Sequence, residues 1–231
     1  GPRLAMAPKY PNQQLKSVTM ELFFPGRLEA LGCLGQIQRD VEHELTHLFV
    51  PNIQVGEAPA LRPFQLRNEA GTRSLALAVN QISYIAFNEY PGFTAFREEG
   101  LPILLSALER LQVSKIARVR YLYENEVGLQ DQDGFEVGSL FPGVLAVGAP
   151  TRVLPPFHSA AEWLLSRDQV GFDARIEGSS PVLKVAVSSA AKGPISLNQI
   201  RDAIDRTHQQ ANALFEALIS PAFRNLISEE A

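Results

Sequence analysis

Two apolar rhythms alternate along this chain, and their order limits the fold more than any short motif does. Leu28, Leu31, Leu34, Ile37, Val41, Leu45 and Leu48 recur at helical steps, which predicts a helix from Arg27 to Phe49 that stops at Pro51. Phe93, Phe96, Leu101, Leu104, Leu105, Leu108 and Leu111 predict a second helix over 93–111. Leu197, Ile200, Ile204, Ala211, Leu214, Phe215 and Leu218 predict a third over 196–219, with Ser196 and Gln199 set as a capping box.

Strand signals fill the intervals. Residues 15–24 mix β-branched, aromatic and polar side chains and stop at Pro25-Gly26. Residues 64–68 and 74–80 flank a turn at Glu69–Thr72, and 83–88 follows. Residues 116–124 alternate, with Ile116, Arg118, Arg120, Leu122 and Glu124 on one face and Ala117, Val119, Tyr121 and Tyr123 on the other. A short strand is expected at Val144–Val147, and a hairpin from 169–177 and 182–188. Runs of strands between well-separated helices predict an α+β fold: curved antiparallel sheet packed by three long helices. Each half ends in a long helix after a run of strands, which suggests a pseudo-duplicated unit. The proline-rich stretch Ala149–Ser159 resembles a linker, so the halves are placed at 10–148 and 149–231 of one continuous structural unit. Gly1-Pro2 ahead of Met6 suggests a protease scar, and residues 1–9 are expected to be a tag remnant and a disordered start.

Composition narrows the function classes. The formal net charge is −4, whereas a general nucleic-acid binder carries a basic surplus. One cysteine, Cys33, allows no internal disulfide, which fits a reducing cytoplasm. Its place by the first apolar stripe suggests a buried thiol. No apolar run approaches the roughly 20 residues of a membrane helix.

The motif richest in chemistry is His43-Glu44-Leu45-Thr46-His47. On a helix, His43 and His47 would share a face and bind one zinc ion, with Glu44 as general base on the metal-bound water: a metallopeptidase arrangement. Four features oppose it. The helical phase turns both histidines away from the apolar stripe, and Glu42 brings a charge where such peptidases carry none. Val50 and Ile53 stand where one peptidase class has Gly and His, and little chain precedes the motif. The other histidines are His158, in the proline-rich segment, and His208, on the apolar side of the last helix. Asp131, Asp133 and Gly134 resemble the start of a calcium loop, but Val137 and Phe141 replace later oxygen ligands, and a plain turn is expected. Phe157, Trp163 and Phe215 are candidates to line a pocket.

Four segments together resemble an uncharacterised, sporadically distributed prokaryotic family. Residues 10–15, running into Glu21-Leu22-Phe23-Phe24, are similar to its Tyr-x-Asn-Pro-Pro opening and Glu-x-x-Phe strand. Tyr90-Pro91-Gly92-Phe93-x-x-Phe96 resembles its Tyr-Pro-Gly-Trp-x-x-Phe motif, and Arg120-Tyr121-Leu122 its Leu-Arg-Tyr-Ile-Asn strand. Leu214–Ile219 resembles its closing helix. Gln13 and Gln14 replace the paired prolines, Phe93 the tryptophan and Tyr123 the asparagine, so the resemblance is to a divergent member. It implies an α+β fold and brings no activity, cofactor or catalytic residue. Patchy distribution suggests an accessory of defence or toxin neutralisation.

The leading expectation is a non-enzymatic binding or regulatory protein in the cytoplasm, without cofactor or metal. Its partner would be another protein or a copy of itself, met through Arg118, Arg120, Tyr121 and Tyr123. The alternatives are a zinc metallopeptidase using His43, His47 and Glu44, and a small-ligand sensor built around Phe157, Trp163 and Phe215.

Overall fold

A computed structural model of the chain describes residues 15–50, 63–129 and 133–228. Residues 10–14, Pro51, Ile53 and Asp131 lie outside the described residues. The elements run β1 (Leu15–Phe23), α1 (Glu29–Val41), β2 (His47–Phe49), β3 (Phe64–Arg67), β4 (Arg73–Ala78), β5 (Gln81–Phe87), α2 (Phe93–Arg110), β6 (Lys115–Gly128) and α3 (Val137–Leu140). After a 3-10 turn at Pro142–Val144 come β7 (Phe157–Leu165), β8 (Asp168–Ile176) and β9 (Val182–Ser196). A second 3-10 turn, Leu197–Gln199, leads into α4 (Ile200–Leu218), and α5 (Pro221–Ser228) closes the described chain. Among the described residues nine strands take the order β2-β3-β4-β5-β1-β6-β9-β8-β7 in an antiparallel sheet, so the fold is α+β. No helix among the described residues is long and apolar enough to cross a membrane.

The chain forms two compact units, and neither is one of its halves. One gathers residues up to Lys16, Leu122–Ser189 and residues from Arg206 on; the other gathers Ser17–Tyr121 and Ala190–Asp205.

In the unit built on Ser17–Tyr121, period two buries Val18, Met20 and Leu22 of β1 beside Ile82, Tyr84 and Ala86 of β5. Leu75 and Leu77 extend that face across β4, and α1 and α2 pack on this sheet. Gly100 lets α2 come close: a Cβ there would stand 2.6 Å from Met20 Cε and 2.8 Å from Tyr84 Cγ. The opposite face is buried too, but with small or polar residues: Ser17, Thr19, Glu21, Ser74, Ala76 and Ser83. The turn between β3 and β4 forms at the expected place, where Asn68 Oδ1 accepts hydrogen bonds from the Thr72 and Arg73 amides at 2.9 and 3.0 Å.

The helix expected over 27–49 ends at Val41. The Val41 carbonyl accepts hydrogen bonds from the Glu44 and Leu45 amides at 2.9 and 2.8 Å, which closes the helix. The next residues join the sheet, with His47 opposite Arg67, Leu48 opposite Leu66 and Phe49 opposite Gln65. Leu45 and Leu48 kept the helical spacing, but tertiary pairing overrides it. α2 matches its expected span and ends in a left-handed cap. The Gln112 amide bonds the Glu109 carbonyl and the Val113 amide the Leu108 carbonyl, both at 3.0 Å, with Gln112 at φ +53.

In the unit built on Leu122–Ser189, odd positions of β9 (Leu183, Val185, Val187) are buried and Lys184 is exposed. The Phe141 ring lies 6.3 Å from that of Phe215 and 4.9 Å from that of Phe223. Asp168, buried, accepts from Arg206 Nε at 2.6 Å and Gln210 Nε2 at 3.0 Å, and Gln210 in turn accepts from Ser189 Oγ at 2.5 Å. Burial pushes the Asp168 carboxyl up, but the Arg206 and Gln210 hydrogen bonds outweigh it and hold it below the usual range. The short strand expected at Val144–Val147 does not form: Pro142 opens a 3-10 turn there and Val147 is fully exposed. The linker-like stretch is partly ordered, with Val153 bridged to Phe135 and β7 starting at Phe157. The third helix starts later than expected, because β9 runs on to Ser196; the Ser196 amide still bonds Gln199 Oε1 at 3.1 Å.

Candidate functional site

The HELTH segment is not helical. His43 and Glu44 lie in the turn after α1, and His47 opens β2. His43 Nε2 stands 3.5 Å from Glu44 Oε1, and His47 Nδ1 shares a 2.8 Å hydrogen bond with Thr46 Oγ1. The shared helix face that a two-histidine zinc site needs is missing, because it depends on four residues making one turn. Among the described residues, no group of three or more His, Cys, Asp or Glu is placed to hold a metal ion.

The residues of β6 divide between two faces. Arg118 and Arg120 lie on the polar face, where Arg118 stacks over the Phe23 ring at 4.1 Å and Arg120 Nε reaches Glu21 Oε2 at 2.5 Å. Tyr121 and Tyr123 are buried on the other face. The Tyr121 hydroxyl meets that of Tyr90 at 3.0 Å, and its ring meets Phe93 and Phe96 edge-on at 5.8 and 6.4 Å. Tyr123 shares a 2.7 Å hydrogen bond with Nδ1 of buried His208. The four residues expected to form one binding surface therefore do not share one. The motif residues of the strand at 21–24, of the Tyr-Pro-Gly turn and of Arg120-Tyr121 do converge, but on each other. Tyr121 and Phe96 are buried there, while Pro91 is exposed and Arg120 keeps a third of its side chain in water.

The pocket candidates also part. Phe215 is buried against Phe141, Phe157 is half-buried and Trp163 is 42% exposed. Cys33 is half-buried on α1.

What stands out is β7. It lies at the end of the strand order and, among the described residues, pairs only with β8, from Phe157 opposite Ile176 to Leu165 opposite Asp168. The opposite edge strand, β2, is exposed as well but runs only three residues, His47–Phe49; on β7 six consecutive residues, Ala160 to Leu165, are exposed, on both faces. Trp163, Leu164 and Leu165 are 42%, 67% and 48% exposed. An edge strand presents a row of backbone donors and acceptors, and proteins usually guard it with lysines, prolines or bulges. Here Glu162 is the only acidic or basic side chain from Ser159 to Leu165, and prolines stand only ahead of the strand, at Pro155 and Pro156. Glu162 Oε2 accepts from Gln169 Nε2 at 2.8 Å, and His158 Nε2 meets Asp173 Oδ2 at 2.8 Å. Burial pushes the Asp173 carboxyl up, but the His158 and Arg175 hydrogen bonds hold it below its ordinary range. Both partners come from β8, so among the described residues the strand is held on one side and open on the other.

Sequence reasoning overlooked this strand. Its signal was present: Phe157, Ser159, Ala161, Trp163 and Leu165 alternate with His158, Ala160, Glu162 and Leu164, and two residues, Ser166 and Arg167, separate it from β8. The preceding prolines and the bulky Trp163 drew the segment toward linker and pocket instead. The sequence matches no protein-family model and no curated protein.

Proposed function

We propose that this is a non-enzymatic binding or regulatory protein that acts by strand addition at the open edge of β7. The observation that carries it is the run Ala160–Leu165, exposed on both faces with three large apolar side chains. Backbone pairing along such an edge gives affinity, and alternate side chains give selectivity. The partner is a protein offering an extended segment. The convergence of Glu21 with Arg120 and of Tyr90 with Tyr121 supports a divergent membership of the family the chain resembles. In that setting the motifs hold the scaffold, and the protein serves as a cytoplasmic accessory of a prokaryotic defence or toxin-neutralising system. The repeated order of strands then helix, β3–β5 before α2 and β7–β9 before α4, supports a pseudo-duplicated scaffold.

A photo-cross-linking amino acid at Leu164, introduced in the cell that makes the protein, tests the reading. Adducts with protein are expected from Leu164 and not from exposed Leu28 on the other unit. Equal labelling from both positions, or none from Leu164, overturns it.

A further inference from the structure

We infer that the segment seated on β7 is β7 of a second copy, paired antiparallel about a two-fold axis through Ala160; this rests on the edge-binding reading above. A two-fold axis normal to a sheet keeps each side chain on its own face, so the axis must pass through a residue. That restricts the registers to a few, and side-chain complementarity chooses among them. With the axis at Ala160, His158 of each copy stands opposite Glu162 of the other, which sets an imidazole N–H donor beside a carboxylate acceptor twice. On the other face Phe157 meets Trp163 twice, and the centre, Ser159–Ala161, is small enough for close approach. Moving the axis to Ala161 sets Glu162 against Ala160 and His158 against Leu164; moving it to Glu162 sets two carboxylates face to face. An axis at Ser159 leaves His158 opposite Ala160 and Trp163 opposite Pro155. Only the Ala160 register pairs each His158 with a Glu162 and each Phe157 with a Trp163. His158 and Glu162 are already steered by Asp173 and Gln169 of β8, which fixes their rotamers before pairing.

The test uses the full chain. Sedimentation equilibrium from about 1 to 100 μM is expected to show a monomer–dimer equilibrium, since one strand edge makes a small interface of micromolar class. Ala160→Lys places two ammonium groups on the axis and is expected to weaken dimerisation by about tenfold or more, with circular dichroism unchanged because the position is exposed. In a Cys33→Ser background, Ala160→Cys is expected to cross-link through a short bis-maleimide, and Ser166→Cys is not, because the register separates the two copies of residue 166 by about 40 Å. A monomer throughout the range, a dimer unmoved by Ala160→Lys, or equal cross-linking at 160 and 166 overturns self-pairing. If self-pairing fails while Leu164 still labels a different protein, the edge reading survives alone; if Leu164 labels nothing, both fall.

Discussion

Glu21 and Arg120, ninety-nine positions apart in the chain, meet at 2.5 Å across adjacent strands. Glu21 is 7% exposed, while Arg120 keeps a third of its side chain in water. The pair is therefore asymmetric. Removing the arginine strands a buried carboxylate, whereas removing the carboxylate frees an arginine that solvent can reach. Arg120→Ala is expected to cost about 2–3 kcal/mol, below the full penalty for a wholly buried pair because water reaches the guanidinium. Glu21→Gln should cost less. Urea denaturation of both variants checks the order, and equal losses would count against it.

The cap of α2 offers a stabilising change. Gln112 holds φ +53, a conformation that a residue with a Cβ adopts at a cost of about 1 kcal/mol. Gln112→Gly is expected to raise stability by about 0.5–1 kcal/mol, provided that Arg27 Nη1 keeps its bond to the residue 112 carbonyl, now 3.1 Å. Thermal unfolding reads this directly; a fall in Tm would mean that the Gln112 side chain does more than fill the cap.

Gly100 points the other way. Alanine is the better helix former by about 1 kcal/mol, but its Cβ would press on the Tyr84 ring and the end of Met20. Gly100→Ala is expected to lose about 1–3 kcal/mol net. A Met20→Ala partner substitution should restore little, because the flexible methionine end can move and the ring cannot. Measuring the double variant separates the two contacts.

Acid acts on Glu98. Hydrogen bonds from Arg201 and then Arg97 hold its carboxyl down at about 2, from an ordinary 4.5. A depressed folded value means that the folded state binds this proton less tightly than the unfolded chain does. The contribution is therefore complete above about pH 4.5 and fades as pH falls towards about 2. Carbon-detected NMR titration of the Glu98 carboxyl should show a midpoint near the lower figure. In Arg201→Ala the midpoint should rise, and a midpoint that stays put would remove Arg201 from the account.

Those contacts show what the sequence could and could not disclose. The strand at 116–124 and the helix at 93–111 were legible because each repeats one period with little competing signal. The split of Arg118 and Arg120 from Tyr121 and Tyr123 was already written in their alternation, but treating the four as one surface ignored it. The end of α1 was not legible: Leu45 and Leu48 keep helical spacing, and only the partner strand Phe64–Arg67 makes the chain turn at Val41. The edge at β7 was hidden for a related reason. Trp163 and Leu165 look like core in any local reading, and their exposure depends on the strand order, which among the described residues places no neighbour beyond them.

The interleaving of the two units bears on how the protein is made. One unit needs Ala190–Asp205 to complete it and the other needs residues from Arg206 onward. A ribosome must therefore synthesise most of the chain before either unit has all its parts. Meanwhile β7, made before both completing segments, already carries the apolar run that stays exposed in the finished fold. Pausing translation before codon 190 is therefore expected to increase aggregation of the nascent chain.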